Sequence, residues 1–379
     1  MTALGPGAPP ARRPRLGFLD RYLTWWIGGA MVTGLLLGRY LPGAVHTLGS
    51  WVIPGTPVPL AVGLGLIVMM YPPLARVRYE EMGRVFRNGR LLLLTLVQNW
   101  FVGPLLMFGL AVVFLHGFPG LLIGLIMIGS ARCIAMVLVW NQLAGGDREY
   151  AAGLVAFNSL FQVFFYGLYI YLFVAVLLPL VGLARVAVPI SWDLVVLSVG
   201  IFLGLPFLAG FLTRWSFVRR GQREYHDRRF APSLAPLSLV ALLYTVVAMF
   251  AFQSSSFLAA PQEVLYVAIP LSIYFVVMFL VSFAMALRAR ADYARTAALS
   301  LTAASNNFEL AITVAVAVFG ISSAEALAAT VGPLIEVPVL LALVQLSLRL
   351  ERRFFPVGPV VREPRPEDPI SQGPGPTSP

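Results

Sequence analysis

Residues 294–319 read ARTAALSLTAASNNFELAITVAVAVF, an apolar run of bilayer length with Ser305, Asn306, Asn307 and Glu309 in its middle. About 20 apolar residues in a helix match the ~30 Å hydrocarbon core of a membrane, so the run reads as a transmembrane span. Its centre does not read as helix. Ser and Asn side chains compete for backbone hydrogen bonds and favour caps and turns. The spacing predicts a break near Ser305, with half-helix ends turned toward an interior cavity.

Outward from this stretch the same pattern recurs, near 22–41, 57–75, 91–115, 118–143, 150–181, 191–213, 233–253, 263–287 and 326–349. The chain has 379 residues, 59% hydrophobic and only 12% charged, where a soluble domain carries about 25% charged residues. The composition excludes a soluble protein and predicts an all-α polytopic membrane protein of ten helices. Its expected parts are a cytoplasmic segment over 1–21, a ten-helix domain over 22–350 and a disordered Pro-rich cytoplasmic tail over 351–379. No separate catalytic domain fits, so any function lies within the bundle. The first span lacks a small-residue cleavage site and reads as a retained helix rather than a signal peptide.

A net charge of +10 suggests nucleic acid at first sight, but all 27 basic residues are arginine and they fall between the apolar runs. Arg12, Arg13, Arg15 and Arg21 precede the first span; Arg76, Arg78, Arg84, Arg87 and Arg90 follow the second; Arg214 to Arg229 follow the sixth. The alternate loops hold chiefly Arg39 and Arg185. Arg-rich loops stay in the cytoplasm, which places both termini inside the plasma (inner) membrane and leaves no role for nucleic acid. The single cysteine, Cys133, excludes an internal disulfide and a multi-Cys metal site.

Two landmarks repeat. Ser130-Ala-Arg-Cys lies 32 residues before Gln162 (162 − 130), and Ser305-Asn-Asn-Phe lies 31 before Glu336 (336 − 305), with Gln162 and Glu336 in the similar frames LFQV and LIEV. Two copies of five helices each must insert upside down relative to one another, as in inverted-repeat carriers. Ionisable groups inside the membrane each cost of order 2.5–3.5 kcal/mol on insertion scales and by default mark a site. Three stand mid-span: Arg132, Glu309 and Glu336. Either they form a buried ion pair that fixes helix register, or they face a ligand. The amides Gln98, Asn99, Asn158, Gln162, Asn306 and Asn307 serve equally as interhelical glue or as ligand contacts. Cys133 has two readings as well: a small buried hydrophobe, or a soft ligand whose thiolate the neighbouring cation favours. His46, His116 and His226 lie in or near loops, away from an intramembrane metal site.

The stretch Ser130-Ala-Arg-Cys-Ile-Ala-Met-Val-Leu-Val-Trp-Asn, with Asn158-Ser-Leu-Phe-Gln after it, closely resembles the arsenite efflux permeases of the arsenical-resistance family. Thr302-Ala-Ala-Ser-Asn-Asn-Phe-Glu-Leu-Ala-Ile and Val331-Gly-Pro-Leu-Ile-Glu-Val-Pro-Val-Leu resemble its other signatures, in order, within residues 20–350. The resemblance implies a carrier of the bile-acid/arsenite transporter superfamily. Its fold has two inverted five-helix repeats, a panel of helices 1, 2, 6 and 7, and a core where broken helices 4 and 9 cross. It implies proton-driven export of trivalent arsenic, sometimes antimony, without a cofactor or metal ion. It places the essential cysteine on Cys133 and the essential glutamate on Glu309, with Asn99, Arg132, Trp140, Asn158, Asn307 and Glu336 as further site residues.

One thiol with hydroxyl-binding Asn and Glu allows capture with release, where a three-sulfur cage would hold arsenic too tightly. A carboxyl withdrawn from water favours its neutral form, so Glu309 is expected to carry the coupling proton. Because Glu336 shares its frame with the amide Gln162, it is expected to shape the site. The competing expectations are a sodium-coupled organic-anion symporter of the same fold, which leaves Cys133 without a reason, and a non-transporting receptor. No HExxH, GxSxG or P-loop pattern points to an enzyme.

Overall fold

A computed structural model describes residues 22–81, 89–134, 136–183, 192–259 and 261–355, and their regular structure is helical throughout. The helices are α1 (Leu23–Tyr40), α2 (Leu60–Arg76), α3 (Gly89–Leu115), α4 (Pro119–Gly129), α5 (Met136–Ala144) and α6 (Arg148–Leu180). They continue with α7 (Trp192–Arg219), α8 (Ala235–Phe252), α9 (Pro261–Arg288), α10 (Tyr293–Ala304), α11 (Phe308–Phe319) and α12 (Ala324–Phe354). Each apolar run of the sequence falls on one helix or on a consecutive pair. Among the described residues six segments are long and apolar enough to cross a membrane: α3, α6, α7, α9, α12 and the stretch Arg223–Phe252 that contains α8. α2, α4 and α11 are apolar but shorter. Arg12, Arg13, Arg15, Arg21, Arg84, Arg87, Arg185 and the tail from Pro356 lie outside the described residues.

The runs 118–143 and 294–319 do not continue as single helices. α10 begins on Asp292, whose side chain accepts from the Arg295 N–H, and ends at Ser305 in extended backbone. After two more residues α11 starts, capped by Asn307, whose Oδ1 accepts from the Leu310 N–H at 3.1 Å. Likewise α4 ends at Gly129, Ser130 to Ile134 are not helical, and α5 begins at Met136.

α8 packs along α1 and α2, and α7 along α2. A second group forms around α12, which meets α4, α9 and α11, while α3 packs on α4 and α9. The interior of this second group is built from small side chains. Ala297, Ala298, Ala303, Ala304, Ala311, Ala315 and Ala317 are fully buried, which lets helix backbones approach closely. At Gly332 a Cβ would come within 1.9 Å of the Phe308 ring, so a glycine is required for α12 to lie against the start of α11. The outer faces are apolar, with Leu93, Phe101, Val113, Phe164 and Val196 all exposed, as expected for helices that meet lipid.

One charged cluster ties two connections together. Arg214, 2% exposed near the end of α7, pairs with Glu80 after α2 and with Asp227 before α8. Arg223 reaches Glu80 at 3.5 Å, Arg78 reaches Asp227 at 3.3 Å, and the His226 Nδ1 lies 2.8 Å from Arg214. Burial pushes the Glu80 carboxyl up, but the hydrogen bond from Arg214 and the charges of Arg214 and Arg223 outweigh it and hold it below its ordinary value. A carboxyl depressed in the folded state contributes stability above the ordinary carboxylate range, and that stability is lost as pH falls through the folded value. Thermal melts of the purified protein should therefore drop on acidification, and Glu80→Gln should flatten part of that drop. Arg214→Ala leaves two partly buried carboxylates without their cation and should lower stability at neutral pH by of order 2 kcal/mol, less than a fully buried pair because water screens both acids.

Candidate functional site

The two interruptions cross. Cys133 N–H donates to the Ser305 carbonyl at 3.4 Å and Asn307 N–H to the Ala131 carbonyl at 3.3 Å, so Arg132 and Asn306 face each other as an antiparallel pair. In that geometry the N–H and C=O of the two facing residues point outward from the pair, and at membrane depth such groups need partners.

Two side chains lie against these outer edges, one from each half of the chain. Gln162 on α6 accepts from the Arg132 N–H at 3.1 Å and donates to the Arg132 carbonyl at 2.9 Å. Glu336 on α12 accepts from the Asn306 N–H at 3.3 Å. Both contacts span 30 residues of sequence, which makes Gln162 and Glu336 counterparts in space as well as in their frames. Asn306 donates from Nδ2 to the carbonyls of Ile128 and Ala131 at 2.8 and 3.0 Å, and Asn307 donates to Gln162 Oε1 at 3.4 Å. Asn307, expected to meet a ligand, thus also caps α11 and braces the crossing.

Arg132 is fully buried and forms no ion pair with Glu309 or Glu336 among the described residues. The register-fixing ion pair left open by the sequence is not what these groups make. The guanidinium donates instead to the Tyr274 hydroxyl at 2.6 Å, the Ala303 carbonyl at 3.3 Å and the Gly129 carbonyl. α3 makes room for it: its hydrogen bonding widens to i→i+5 over Gln98–Val102, and a Cβ at Gly103 would stand 2.9 Å from the guanidinium. Such widened turns recur at functional sites.

Cys133 is 3% exposed, at the start of the interruption before α5. The Val137 N–H and the Ser305 hydroxyl lie beside its sulfur, and the carboxyls of Glu336 and Glu309 are close enough to act on it electrostatically. Glu309 is half-buried in the first turn of α11. A helix N-terminus favours negative charge, so the first turns of α5 and α11 both suit acidic or anionic groups.

Around the crossing, buried polar atoms stand without a protein partner among the described residues: Asn99 Oδ1 and Nδ2, Asn158 Nδ2, the Trp140 indole N–H and Asn306 Oδ1. Each such group costs about 1–3 kcal/mol unless something polar meets it. Asn158 is linked to the crossing through its backbone carbonyl, which accepts from Gln162 at 3.1 Å. Trp140 and Asn99 sit on neighbouring elements with no hydrogen bond to the crossing itself. Among the described residues no group of His, Cys, Asp and Glu is arranged to hold a metal ion.

Gln162 and Asn306, which the sequence offers equally as glue or as ligand contacts, hold the crossing together, and the structure adds Tyr274 and Gly103. Nothing in an apolar span marks Tyr274 or Gly103.

Residues 63–260 match the Sodium Bile acid symporter family. The chain is 45% identical over 351 residues to the arsenical-resistance protein Acr3 of Corynebacterium glutamicum, covering 93% of this chain and 94% of that one. It is 32% identical to the Acr3 protein of Alkaliphilus metalliredigens, covering 90% and 95%, and 34% identical to an uncharacterized transporter of Synechocystis sp., covering 87% and 88%. These relatives are transporters and resistance proteins rather than enzymes. The interrupted, crossing helices and the full-length similarity place the chain in one lineage: it belongs to the sodium bile acid symporter family, among its Acr3 arsenical-resistance members.

Proposed function

We propose that this protein exports trivalent arsenite from the cytoplasm by exchange with protons. The observation that carries the proposal is the place of Cys133, the one thiol in the sequence. It stands where two interrupted helices cross, within electrostatic reach of two carboxyls and in a region where amide atoms of Asn99, Asn158 and Asn306 lack protein partners among the described residues. A trivalent arsenic hydroxide needs one soft contact and several hydrogen bonds to its hydroxyls, which this set of groups offers. Support for the substrate comes from the two Acr3 relatives, whose names record arsenical resistance. Antimonite, with the same valence and hydroxide form, belongs to the same substrate class.

In this mechanism Glu309 and the substrate compete for one cavity. Protonation of Glu309 from outside expels arsenite, and loss of the proton to the cytoplasm restores the site. The fold that serves it is ten spans in two inverted five-helix repeats, with α1, α2, α7 and α8 as a panel and the remaining helices as a core. The matched 30-residue contacts of Gln162 and Glu336 and the packing of α8 along α1 and α2 and of α7 along α2 support that architecture. The direct test is arsenite uptake into everted vesicles with and without an imposed proton gradient. The family match favours a second reading, a sodium-coupled organic-anion symporter, and it requires flux that follows sodium rather than protons.

The Arg-rich connections support an orientation with both termini and the segment from Arg214 to Arg229 in the cytoplasm. A cysteine introduced at Gln222 in a Cys133→Ser background should resist an impermeant thiol reagent in intact cells and react once the membrane is permeabilised. Labelling in intact cells contradicts that orientation.

A further inference from the structure

The last turn of α7 and the residues that lead into α8 form an ordered basic platform. From Arg214 to Ser233 six arginines stand against Glu224 and Asp227, a net charge of +4 (6 − 2). Arg214 is committed inward, to Glu80 and Asp227, and Arg223 reaches Glu80. Arg219, Arg220, Arg228 and Arg229 are all exposed. Arg228 meets Glu224 at 3.1 Å in a solvated i,i+4 pair, which holds it weakly. Arg219, Arg220 and Arg229 have no carboxylate partner among the described residues. Rings beneath bring the two arginine pairs together, since Phe217 packs on Phe230 at 5.0 Å and on Tyr225 at 6.0 Å. Next to the platform α7 presents an apolar stripe. Leu208, Leu212, Trp215 and Arg219 follow at spacings of four, three and four, the repeat that stacks side chains on one side of a helix, and all are exposed. The Arg219 guanidinium lies over the Trp215 ring, 5.0 Å from its centroid. From Leu208 to Arg219 the helix advances about 16 Å, close to half of the ~30 Å hydrocarbon core. The stripe is one leaflet long.

We infer that this surface binds an anionic phospholipid of the cytoplasmic leaflet, with its phosphate between Arg219–Arg220 and Arg228–Arg229 and an acyl chain along Trp215, Leu212 and Leu208. Guanidinium groups suit a phosphate because their paired N–H donors match its oxygens. A basic cluster just cytoplasmic of a span attracts anionic headgroups, and an indole settles at headgroup level, which sets the stacked Arg219 at that depth. Underneath, Arg214 ties the platform to Glu80 after α2, so the bound lipid fastens the neighbouring ends of α2, α7 and α8 to the membrane surface. The inference rests on the cytoplasmic placement of this segment, which the cysteine introduced at Gln222 tests separately, and stands whichever substrate the protein carries.

The test uses the full chain in detergent micelles with equal amounts of phosphatidylglycerol and phosphatidylcholine, and native mass spectrometry counts the lipids retained. The parent should retain phosphatidylglycerol at least about threefold over phosphatidylcholine. In the combined variant Arg219→Gln, Arg220→Gln, Arg228→Gln, Arg229→Gln that preference should disappear. Its four side chains are exposed and lie outside the buried Arg214 network, and the milder pair Arg219→Gln, Arg220→Gln, which should lose about half of the preference, serves if the combined variant fails to fold. An equal loss of charge at the ends of α9 and α12, by Arg288→Gln, Arg290→Gln, Arg352→Gln and Arg353→Gln, should leave the preference intact. Added phosphatidylglycerol should raise the melting temperature of the parent and not of the combined variant at Arg219 to Arg229. Excess inorganic phosphate should not displace the lipid. A preference that survives the combined variant, an equal loss from the α9 and α12 set, or displacement by phosphate alone overturns the inference.

Discussion

Cys133→Ser is expected to abolish arsenite resistance and thiol-reagent sensitivity together, while the protein still reaches the membrane in normal amount. Serine keeps the size of the side chain and its small hydrogen-bonding group, so the packing at the crossing survives. What disappears is soft ligation, which an oxygen cannot supply to arsenic(III). Nothing else in the chain can replace it, because no second cysteine exists. Loss of transport by at least about a hundredfold corresponds to roughly 2.7 kcal/mol, modest for one direct bond to the substrate. The experiment is arsenite resistance in cells that lack their own exporter, with membrane levels measured alongside. Full resistance from Cys133→Ser would return the residue to a buried hydrophobe with no part in transport.

Glu309→Gln should remove coupling to protons, and Glu336→Gln should not. Both carboxyls lie at the crossing, but their surroundings differ. Glu336 is buried and bonded to the Asn306 backbone, opposite in the repeat to an amide that does the same work. Glu309 is half-buried in the first turn of α11, and its carboxyl is met by its own backbone N–H rather than by another residue. A group that must exchange its proton with both sides of the membrane needs that freedom. With glutamine at 309 the site is fixed in the form that mimics protonation, and flux should no longer respond to an imposed pH gradient. Vesicle flux measured for the two variants side by side decides between them. Coupled flux in Glu309→Gln together with uncoupled flux in Glu336→Gln would reverse the two roles.

The sequence makes some of this site legible and hides the rest, for physical reasons. Ser305, Asn306 and Asn307 announce their break because three residues of poor helix propensity stand in an otherwise apolar span, and the structure uses Asn307 as the cap of α11. The break after Ser130 is different. Ala131, Arg132, Cys133 and Ile134 include no strong helix breaker, and that interruption is held by tertiary bonds from Gln162 and from the Ser305–Asn307 segment. Local propensity cannot foresee it, and only the family resemblance pointed there. Arg132 was legible as a costly buried charge, but its partners were not: a tyrosine hydroxyl 142 positions away and two carbonyls form its surroundings in place of a glutamate. Gln162 and Glu336 stood out through their shared frame, and their matched contacts give that frame a mechanical meaning. Gly103 and Gly332 matter for what a Cβ would strike, a property of neighbours that no single stretch of sequence records.

In the proposed mechanism one thiol at a crossing of two interrupted helices carries arsenite outward at the expense of a proton gradient. Arsenite accumulation in everted vesicles measures it most directly, in sodium-free buffer, with the interior made acidic relative to the medium. The expected result is accumulation that rises with the imposed gradient, collapses with a protonophore and is absent in Cys133→Ser vesicles. Accumulation that ignores the gradient and the protonophore, or that persists unchanged without Cys133, would contradict proton-driven export through this thiol.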